Sequence, residues 1–236
     1  YLFNSSIAGI DDADALLIIG SNPRVEAAVL NARVRRNWLA TQMPVGVIGE
    51  NATLTYATQW LGDEVSLLDD VLSGKNKFAA KLKKAKRPMI IIGMGALVRA
   101  DGASVLGMAR QIAETCGVVT DKWNGFNILH TAAARVAGLD MGFVPDRGGM
   151  DIAAMAAAAK AGSLDVLWSL GADEINYADF ASSFVVYQGH HGDAGAHHAD
   201  IILPGAAYTE KDGIYLNSEG RVQYANRAAF PPGEAR

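Results

Sequence analysis

Four of the five histidines cluster in the segment 190–198, close to the carboxylates of Asp193 and Asp200. The four are His190, His191, His197 and His198. Imidazole and carboxylate groups are zinc ligands, and a zinc site needs three or four of them around one ion. In an extended chain, adjacent side chains point to opposite sides, so one histidine of each pair would face away from that ion. We expect histidines hydrogen-bonded at a strand-to-loop junction, and a metal-binding module remains an alternative.

A second group with chemical potential is Gly20, Ser21, Asn22 and Pro23, which follows the apolar run ALLII. Gly20 is expected to end a strand, Ser21 or Asn22 can cap the next helix, and Pro23 suits the first turn of that helix. Free backbone N–H groups at such a helix start favour a phosphate. Structural capping explains the same residues equally well, so both interpretations stay open.

Two further features are weaker candidates for a functional site. Gly93 and Gly95 begin like a dinucleotide fingerprint, but Val98 stands where the third glycine belongs. A tight strand-to-helix turn is the expected structure there. Cys116 precedes Gly117 near a helix end and has no base beside it in the sequence, which indicates a buried thiol.

The elements that position these residues are apolar runs alternating with helical patterns. Strands are expected at 15–20, 43–49, 89–93, 165–171, 184–189 and 199–204. Helices are expected at 25–39, 103–115 and 150–161. Such alternation predicts an α/β fold with a parallel sheet that is buried on both faces. The last thirty residues lose the helical period, and the segment 214–225 is expected to form two short strands around a turn.

Three local expectations accompany this assignment. The segment 25–39 is expected to be a helix, with Val25, Ala28, Val29, Ala32 and Val34 or Arg36 at near-helical spacing. His130 lies on an apolar pattern that looks helical. The segment 75–87, rich in Lys and Arg, is expected to be a short helix with Phe78 and Leu82 facing inward.

The basic segment also suggests the organisation of domains. We expect a first α/β unit at 1–74, a connecting segment at 75–87, and a second α/β unit at 88–236 that includes the C-terminal loop and short strands. The chain begins with Tyr1 and ends after PPGEAR, so we expect it to be an excerpt of a longer polypeptide.

Composition excludes several classes of protein. The net charge of −4 argues against nucleic acid as a partner. One cysteine rules out a disulfide framework and a cysteine-ligated iron–sulfur cluster within these residues. No apolar run reaches the roughly 20 residues that a membrane-spanning helix needs, so direct membrane insertion is not expected.

Residues 14–62 and 187–223 together resemble the molybdopterin oxidoreductase superfamily. The resemblance is strongest to its branch in the large iron–sulfur subunit of respiratory complex I, of alphaproteobacterial or mitochondrial type. The strings that carry it are ADALLIIGSNPRVEAAVLNARVR, YQGHHGD and ADIILPGAAYTEKDGIYLNSEGRVQ, with support from FNILHTAAARVAGLDMG. The resemblance implies Rossmann-like parallel-sheet units of the formate dehydrogenase and DMSO reductase type.

The resemblance also implies where a cofactor would lie. In active members, the loop that matches Gly20–Pro23 holds the nucleotide of a molybdopterin guanine dinucleotide, and a later stretch reads Asp-Pro-Arg-x-Thr. Here that stretch is GVIGENATLT (46–55), in which only Thr53 or Thr55 is retained. Losing the carboxylate and the guanidinium removes charge-assisted contacts worth about 1.5–3 kcal/mol each. The loop at 20–23 is therefore expected to be vestigial, and this chain to hold no cofactor.

The long matching string at 199–223 then needs a structural reason. Its residues of interest are Pro204, Glu210, Asp212, Gly213, Asn217, Glu219, Gly220 and Arg221. We hypothesise that the proline and glycines fix loop geometry, while the polar side chains bind backbone groups and each other. In this hypothesis, Glu219 and Arg221 are strongly coupled in stability.

The function implied by the resemblance is a structural domain of complex I. The whole subunit would relay electrons from NADH toward quinone through 2Fe-2S and 4Fe-4S clusters, held by residues upstream of this chain. Partners would be other peripheral-arm subunits and the subunit's own N-terminal domain, on the cytoplasmic side of the bacterial inner membrane or the matrix side of the mitochondrial one. No catalytic residue or metal ligand is assigned here. The alternative is an active molybdopterin-dependent oxidoreductase.

Overall fold

The computed structural model describes residues 1–133 and 135–235, and these form two compact units. The first comprises Tyr1–Ala137 with Leu216–Arg221, and the second Gly138–Tyr215 with Val222–Arg236. The division expected at 75–87 is therefore wrong. The strand that follows this segment pairs with the strand at 15–19 in a single sheet, so the basic segment is an internal crossover of the first unit.

Within the described residues of the first unit, five strands form one parallel sheet in the order β3-β2-β1-β4-β7. They are β1 (Ala15–Ile19), β2 (Val45–Ile48), β3 (Gln59–Gly62), β4 (Pro88–Gly93) and β7 (Phe126–Leu129). A short antiparallel pair, β5 (Val119–Thr120) and β6 (Trp123–Asn124), precedes β7. The residues of β1 and β4 are buried throughout, as expected for strands covered on both faces.

Helices cover both faces of this sheet. They are α1 (Pro23–Glu26), α2 (Ala28–Thr41), α3 (Leu67–Leu72), α4 (Lys77–Lys84), α5 (Met94–Leu97) and α6 (Gly102–Thr115). Helix α2 packs with the strand residues Leu16 and Ile18 on one face. Helices α3, α4 and α6 pack with Leu17 and Ile19 on the other. The α/β fold and the inward Phe78 and Leu82 of α4 are confirmed.

The buried face of α2 agrees only in part with the expected spacing. Val34 is buried, but Val29 is 86% exposed, and Val25, which lies in α1, is 79% exposed. The other buried residues of α2 are Leu30, Asn31 and Asn37. The amide of Asn37 donates to the carbonyl oxygens of Ile10 and Ala13 at 2.7 and 2.8 Å. The inner face of α2 therefore combines apolar residues with two asparagines, whose amides are satisfied by the carbonyl oxygens of other segments, Leu54 for Asn31 and Ile10 and Ala13 for Asn37.

In the second unit, three of the described strands form a parallel sheet in the order β10-β9-β8. They are β8 (Val166–Leu170), β9 (Phe184–Gly189) and β10 (Ile201–Pro204). The helices are α7 (Arg135–Asp140, which begins in the first unit), α8 (Ile152–Lys160) and α9 (Ala194–His198). Strands β11 (Gly213–Leu216) and β12 (Val222–Ala225) pair with each other.

Two expectations for these segments are wrong. The sheet of the second unit is not buried on both faces, because residues of β8 alternate between exposed and buried and those of β10 are exposed throughout. The apolar residues 126–129, just before His130, were expected to be helical, but they form β7, an edge strand of the first sheet. None of the helices in the described part of the chain is long and apolar enough to cross a bilayer.

Candidate functional site

The candidate site lies at the carboxyl ends of β1, β2 and β4. Gly20 has φ +59°, and a Cβ there would lie 2.4 Å from Cβ of Ala96. A Cβ on Gly93 would lie 2.5 Å from the carbonyl oxygen of Gly20. The Gly93–Gly95 motif therefore serves close packing of two strand-to-helix turns, as the sequence indicated.

The loop after β1 binds a carboxylate from its own chain. Asn22 is the N-cap residue of α1, but its side chain makes no capping hydrogen bond. Glu26 instead reaches back to the loop before the helix: its Oε1 accepts from the backbone N–H of Asn22 at 3.0 Å, and its Oε2 accepts from the hydroxyl of Ser21 at 2.7 Å. A backbone donor and a hydroxyl that a phosphate would use are thus already engaged by an internal anion.

A cleft of about 280 Å³ opens beside this loop. Its lining includes the carboxylate-bearing residues Glu26, Glu50 and Asp63 and one arginine, Arg99. The guanidinium of Arg99 makes two hydrogen bonds to the carboxylate of Asp101, at 2.7 and 3.0 Å. This pairing lowers the pKa of Asp101 below its usual value and balances the charge of Arg99. The cleft consequently has a net negative lining.

The loop 49–56, which follows β2, is held by the chain itself. Arg24 donates to the carbonyl oxygen of Thr53 at 2.9 Å, and Arg35 donates to that of Thr55 at 3.3 Å. The side chain of Asn22 donates to Glu50 at 3.2 Å. Neither Thr53 nor Thr55 is among the residues that line the cleft.

These contacts decide whether the nucleotide part of a molybdopterin guanine dinucleotide fits. Such a group carries a pyrophosphate, which needs free N–H donors and positive charge. The structure presents Glu26 on the loop's donors, two more carboxylates in the cleft, and an arginine already paired with Asp101. The residues present do not fit the group.

The histidines adopt a different geometry from the one expected. His197 and His198 lie in helix α9. The rings of His190 and His191 contact each other edge to face, with their centroids 4.3 Å apart. The expectation that each pair points to opposite sides of an extended chain is therefore wrong. His198 bonds through Nδ1 to the carbonyl oxygen of Ala194 at 2.9 Å. Among the described residues, no group of three or more His, Cys, Asp or Glu is placed to hold a metal ion.

Sequence reasoning missed a polar cluster under α9. The hydroxyl of Tyr187 donates to Asp173 at 2.8 Å, and the same carboxylate accepts from the backbone N–H of Gly195 at 3.1 Å. Burial, followed by the hydrogen bond to Asp173, raises the pKa of Tyr187 to about 12. Tyr177 bonds to Ser169 at 2.6 Å and stacks on His198. The sequence did carry a signal for this cluster, because Asp173 follows the turn at Gly171 by two residues.

The long matching string forms two separate sets of contacts. In the first, Glu210 accepts from the backbone N–H of Ala207 at 3.0 Å, and Asp212 accepts from that of Arg227 at 2.7 Å. Pro204 ends β10, where Gly205 donates to the carbonyl oxygen of Gly189 at 2.8 Å. Gly213 begins β11.

The second set is the turn 217–221, which belongs to the first unit. Glu219 accepts from the backbone N–H of Ile7 at 2.6 Å through Oε2, and from the side chain of Asn217 at 3.3 Å through Oε1. Arg221 pairs with Glu219 at 3.2 Å, but its side chain is 68% exposed, against 11% for Glu219. Gly220 has φ +76°, which only glycine adopts readily.

Comparison with known proteins gives a consistent result. The sequence model of the molybdopterin oxidoreductase family matches residues 1–236. The chain is 44% identical over its full length to an NADH-quinone oxidoreductase subunit of Rickettsia bellii, of which it covers 33%. It is 45% identical to the mitochondrial 78 kDa subunit of NADH-ubiquinone oxidoreductase of Neurospora crassa, of which it covers 31%. The chain thus spans about a third of these relatives.

A solved structure shares the fold. Acetylene hydratase from Pelobacter acetylenicus aligns with the whole chain at a TM-score of 0.68 and 12% sequence identity, and the chain covers 46% of it. At that identity the likeness concerns the fold alone. It supports the Rossmann-like parallel-sheet architecture that the sequence resemblance implied.

Proposed function

Because the chain belongs to the molybdopterin oxidoreductase family, we propose that it is a cofactor-free structural domain of the large iron–sulfur subunit of NADH:quinone oxidoreductase. Its relatives of 44% and 45% identity are named as subunits of that enzyme complex. The whole subunit relays electrons from NADH through 2Fe-2S and 4Fe-4S clusters toward quinone. Those clusters are held by residues outside this chain, whose one cysteine is buried.

One observation carries the cofactor-free part of this proposal. The carboxylate of Glu26 accepts hydrogen bonds from the Asn22 N–H and the Ser21 hydroxyl at the start of α1. A bound pyrophosphate would lie beside that charge and beside Glu50, and like charges at close range are repulsive. An active molybdopterin-dependent oxidoreductase, the alternative function, needs the opposite charge at this place.

In this function the domain acts through packing contacts with neighbouring parts of the complex. Its partners are the subunit's own N-terminal cluster-binding domain and other subunits of the peripheral arm. The protein is then peripheral to its membrane, on the cytoplasmic side in bacteria or on the matrix side in mitochondria. Neither nucleic acid nor direct insertion into the bilayer belongs to this function.

Elemental analysis tests the proposal directly. The full-length subunit, purified within its complex, is assayed for iron, molybdenum, tungsten and zinc. We expect iron without molybdenum or tungsten, since the cleft excludes the cofactor that carries those metals. Stoichiometric molybdenum or tungsten would establish the alternative, and stoichiometric zinc would restore the histidine segment as a metal site.

A titration with guanosine diphosphate complements that assay. The nucleotide represents the part of the cofactor that the loop 20–23 would hold, and chain 1–236 is expected not to bind it. Saturable binding that is lost when Ser21 is replaced by Ala would contradict the cofactor-free assignment.

A further inference from the structure

The three-stranded sheet of the second unit has a bare apolar face. Val166, Trp168 and Leu170 of β8 are 54%, 60% and 72% exposed, although they alternate with buried residues. The strand register aligns Val166 with Phe184 of β9, and Trp168 with Val186. The face that we call the Trp168 face consists of the apolar residues Val166, Trp168, Leu170, Phe184, Val186, Ile201 and Leu203, with Gln188 between Leu170 and Leu203.

Topology explains why this face is bare. Parallel strands joined by right-handed crossovers in one direction place their connections on the same face of the sheet. Strands β8, β9 and β10 follow one another in a single direction. Their connections accordingly pack on the opposite face, where Leu167, Val185 and Phe180 form a core. Gly195 of α9 also packs there, against the ring of Tyr187.

The first unit shows how the chain completes such a sheet. There β1, β2 and β3 also run in one direction, with α2 on one face. The chain then returns and places β4 and β7 on the other side of β1, which brings α6 onto the second face. In the second unit, β8 corresponds to β1, and among the described residues only β9 pairs with it.

We propose that the second unit is half of a doubly wound sheet, and that its Trp168 face and the free edge of β8 are covered by a segment of the same polypeptide outside residues 1–236. That segment adds a strand beside β8, as β4 does beside β1, and a helix whose apolar side packs on Trp168. Curated relatives are about three times as long as this chain, so the polypeptide has the length for it. Parallel sheets are ordinarily covered on both faces by crossover helices of their own chain, which favours this occupant over another subunit.

Hydroxyl-radical footprinting with mass spectrometry tests the assignment without altering the protein. Oxidation of Trp168 is compared in chain 1–236, in the full-length subunit alone, and in the assembled complex. We expect ready oxidation in chain 1–236 and loss of that oxidation in the subunit alone. Protection that appears only in the complex would assign the face to another subunit and overturn the proposal, as would oxidation in all three samples. Protection of chain 1–236 that increases with its concentration would overturn it in favour of a second copy.

A pair of substitutions gives a second measurement. Trp168→Lys should leave the Tm of chain 1–236 nearly unchanged, because the side chain is exposed there, and should lower the Tm of the full-length subunit. Val25→Lys, on an exposed position of α1, is the matched control and should change neither. Equal Tm values for Trp168→Lys and wild-type subunit would contradict the proposal. Metal content does not enter either measurement, so this inference and the cofactor-free role can fail separately.

Discussion

At the scale of single residues, the central feature is a carboxylate at a place where the family's fold would present donors to a phosphate. Glu26 lies four residues after Asn22, so the first turn of α1 brings its side chain back onto the loop. A bound anion and a fixed internal anion satisfy the same N–H and hydroxyl donors. Glu26 thus engages two donors of this loop from within the chain.

Glu26→Gln should test this contribution to stability. The amide keeps the shape but converts a charge-assisted hydrogen bond into a neutral one, so we expect a loss of about 1 kcal/mol in the free energy of unfolding. Urea denaturation of chain 1–236 measures it. Glu114→Gln is the control, because Glu114 pairs with Arg110 on an exposed helix surface and such pairs contribute less than about 0.5 kcal/mol. Equal losses in the two variants would show that Glu26 has no special role.

Tyr187 makes stability depend on pH at the alkaline end. Its folded pKa of about 12 lies above its ordinary value, so the folded state favours the neutral phenol. This stabilisation is complete below about pH 10 and is lost as the pH rises toward 12. We expect urea denaturation across this range to show a steeper loss of stability for wild type than for Tyr187→Phe. Tyr224→Phe, at a 63% exposed position, should follow wild type; parallel curves for all three would contradict the assignment.

At the scale of elements, the glycines at the ends of β1 and α6 are required for different reasons. Gly20 has a positive φ and also contacts Ala96, whereas Gly117 at the end of α6 has φ +66° and nothing within 4 Å of an added Cβ. The two positions share the backbone conformation and differ in the space around it. A comparison of the two isolates the effect of close packing between turns.

Alanine substitution at these two glycines should therefore differ in cost. Gly117→Ala should cost about 1–2 kcal/mol, the usual penalty of a left-handed conformation. Gly20→Ala should cost at least about 1 kcal/mol more, because a backbone shift is needed to relieve overlap with Ala96. Thermal and urea unfolding of both variants measure the difference. Equal destabilisation would mean that the turns of β1 and β4 separate without cost.

The turn 217–221 revises an expectation about coupling. The sequence suggested that Glu219 and Arg221 stabilise one another strongly. In the structure, Glu219 is nearly buried and binds the Ile7 N–H, while most of the Arg221 side chain is exposed. The main stabilising partner of Glu219 is thus a backbone group.

A double-mutant cycle separates these contributions. Glu219→Ala should destabilise chain 1–236 by about 1–3 kcal/mol, since the Ile7 N–H loses its acceptor. Arg221→Ala should cost less than about 1 kcal/mol, as exposed ion pairs do. We expect the double variant to be nearly additive. A coupling energy as large as the Glu219→Ala effect would reinstate the original hypothesis of a mutually dependent pair.

At the scale of the whole molecule, the two units represent different degrees of completion of one architecture. The first has a sheet wound in both directions, with cores on both faces. The second has strands in one direction only, a core on one face, and a bare apolar surface on the other. The difference fits a chain that spans about a third of its relatives.

The sequence by itself located several of the longer strands and helices and, by resemblance, the family. Apolar runs located the strands at 15–19, 88–93 and 184–189, because a strand buried on one or both faces is recognisable from a few consecutive residues. The strings within 14–62 and 187–223 indicated the family by their resemblance to it, and the family model over residues 1–236 confirms that assignment.

Only the tertiary structure decided which of these residues meet. It turned the asparagines of α2 inward, joined β4 to β1 across the basic segment, and left the Trp168 face bare. Each of these outcomes depends on contacts between residues far apart in the chain or on the direction of a crossover. Local periodicity reports how a segment is buried, but it contains no information on which segment buries it.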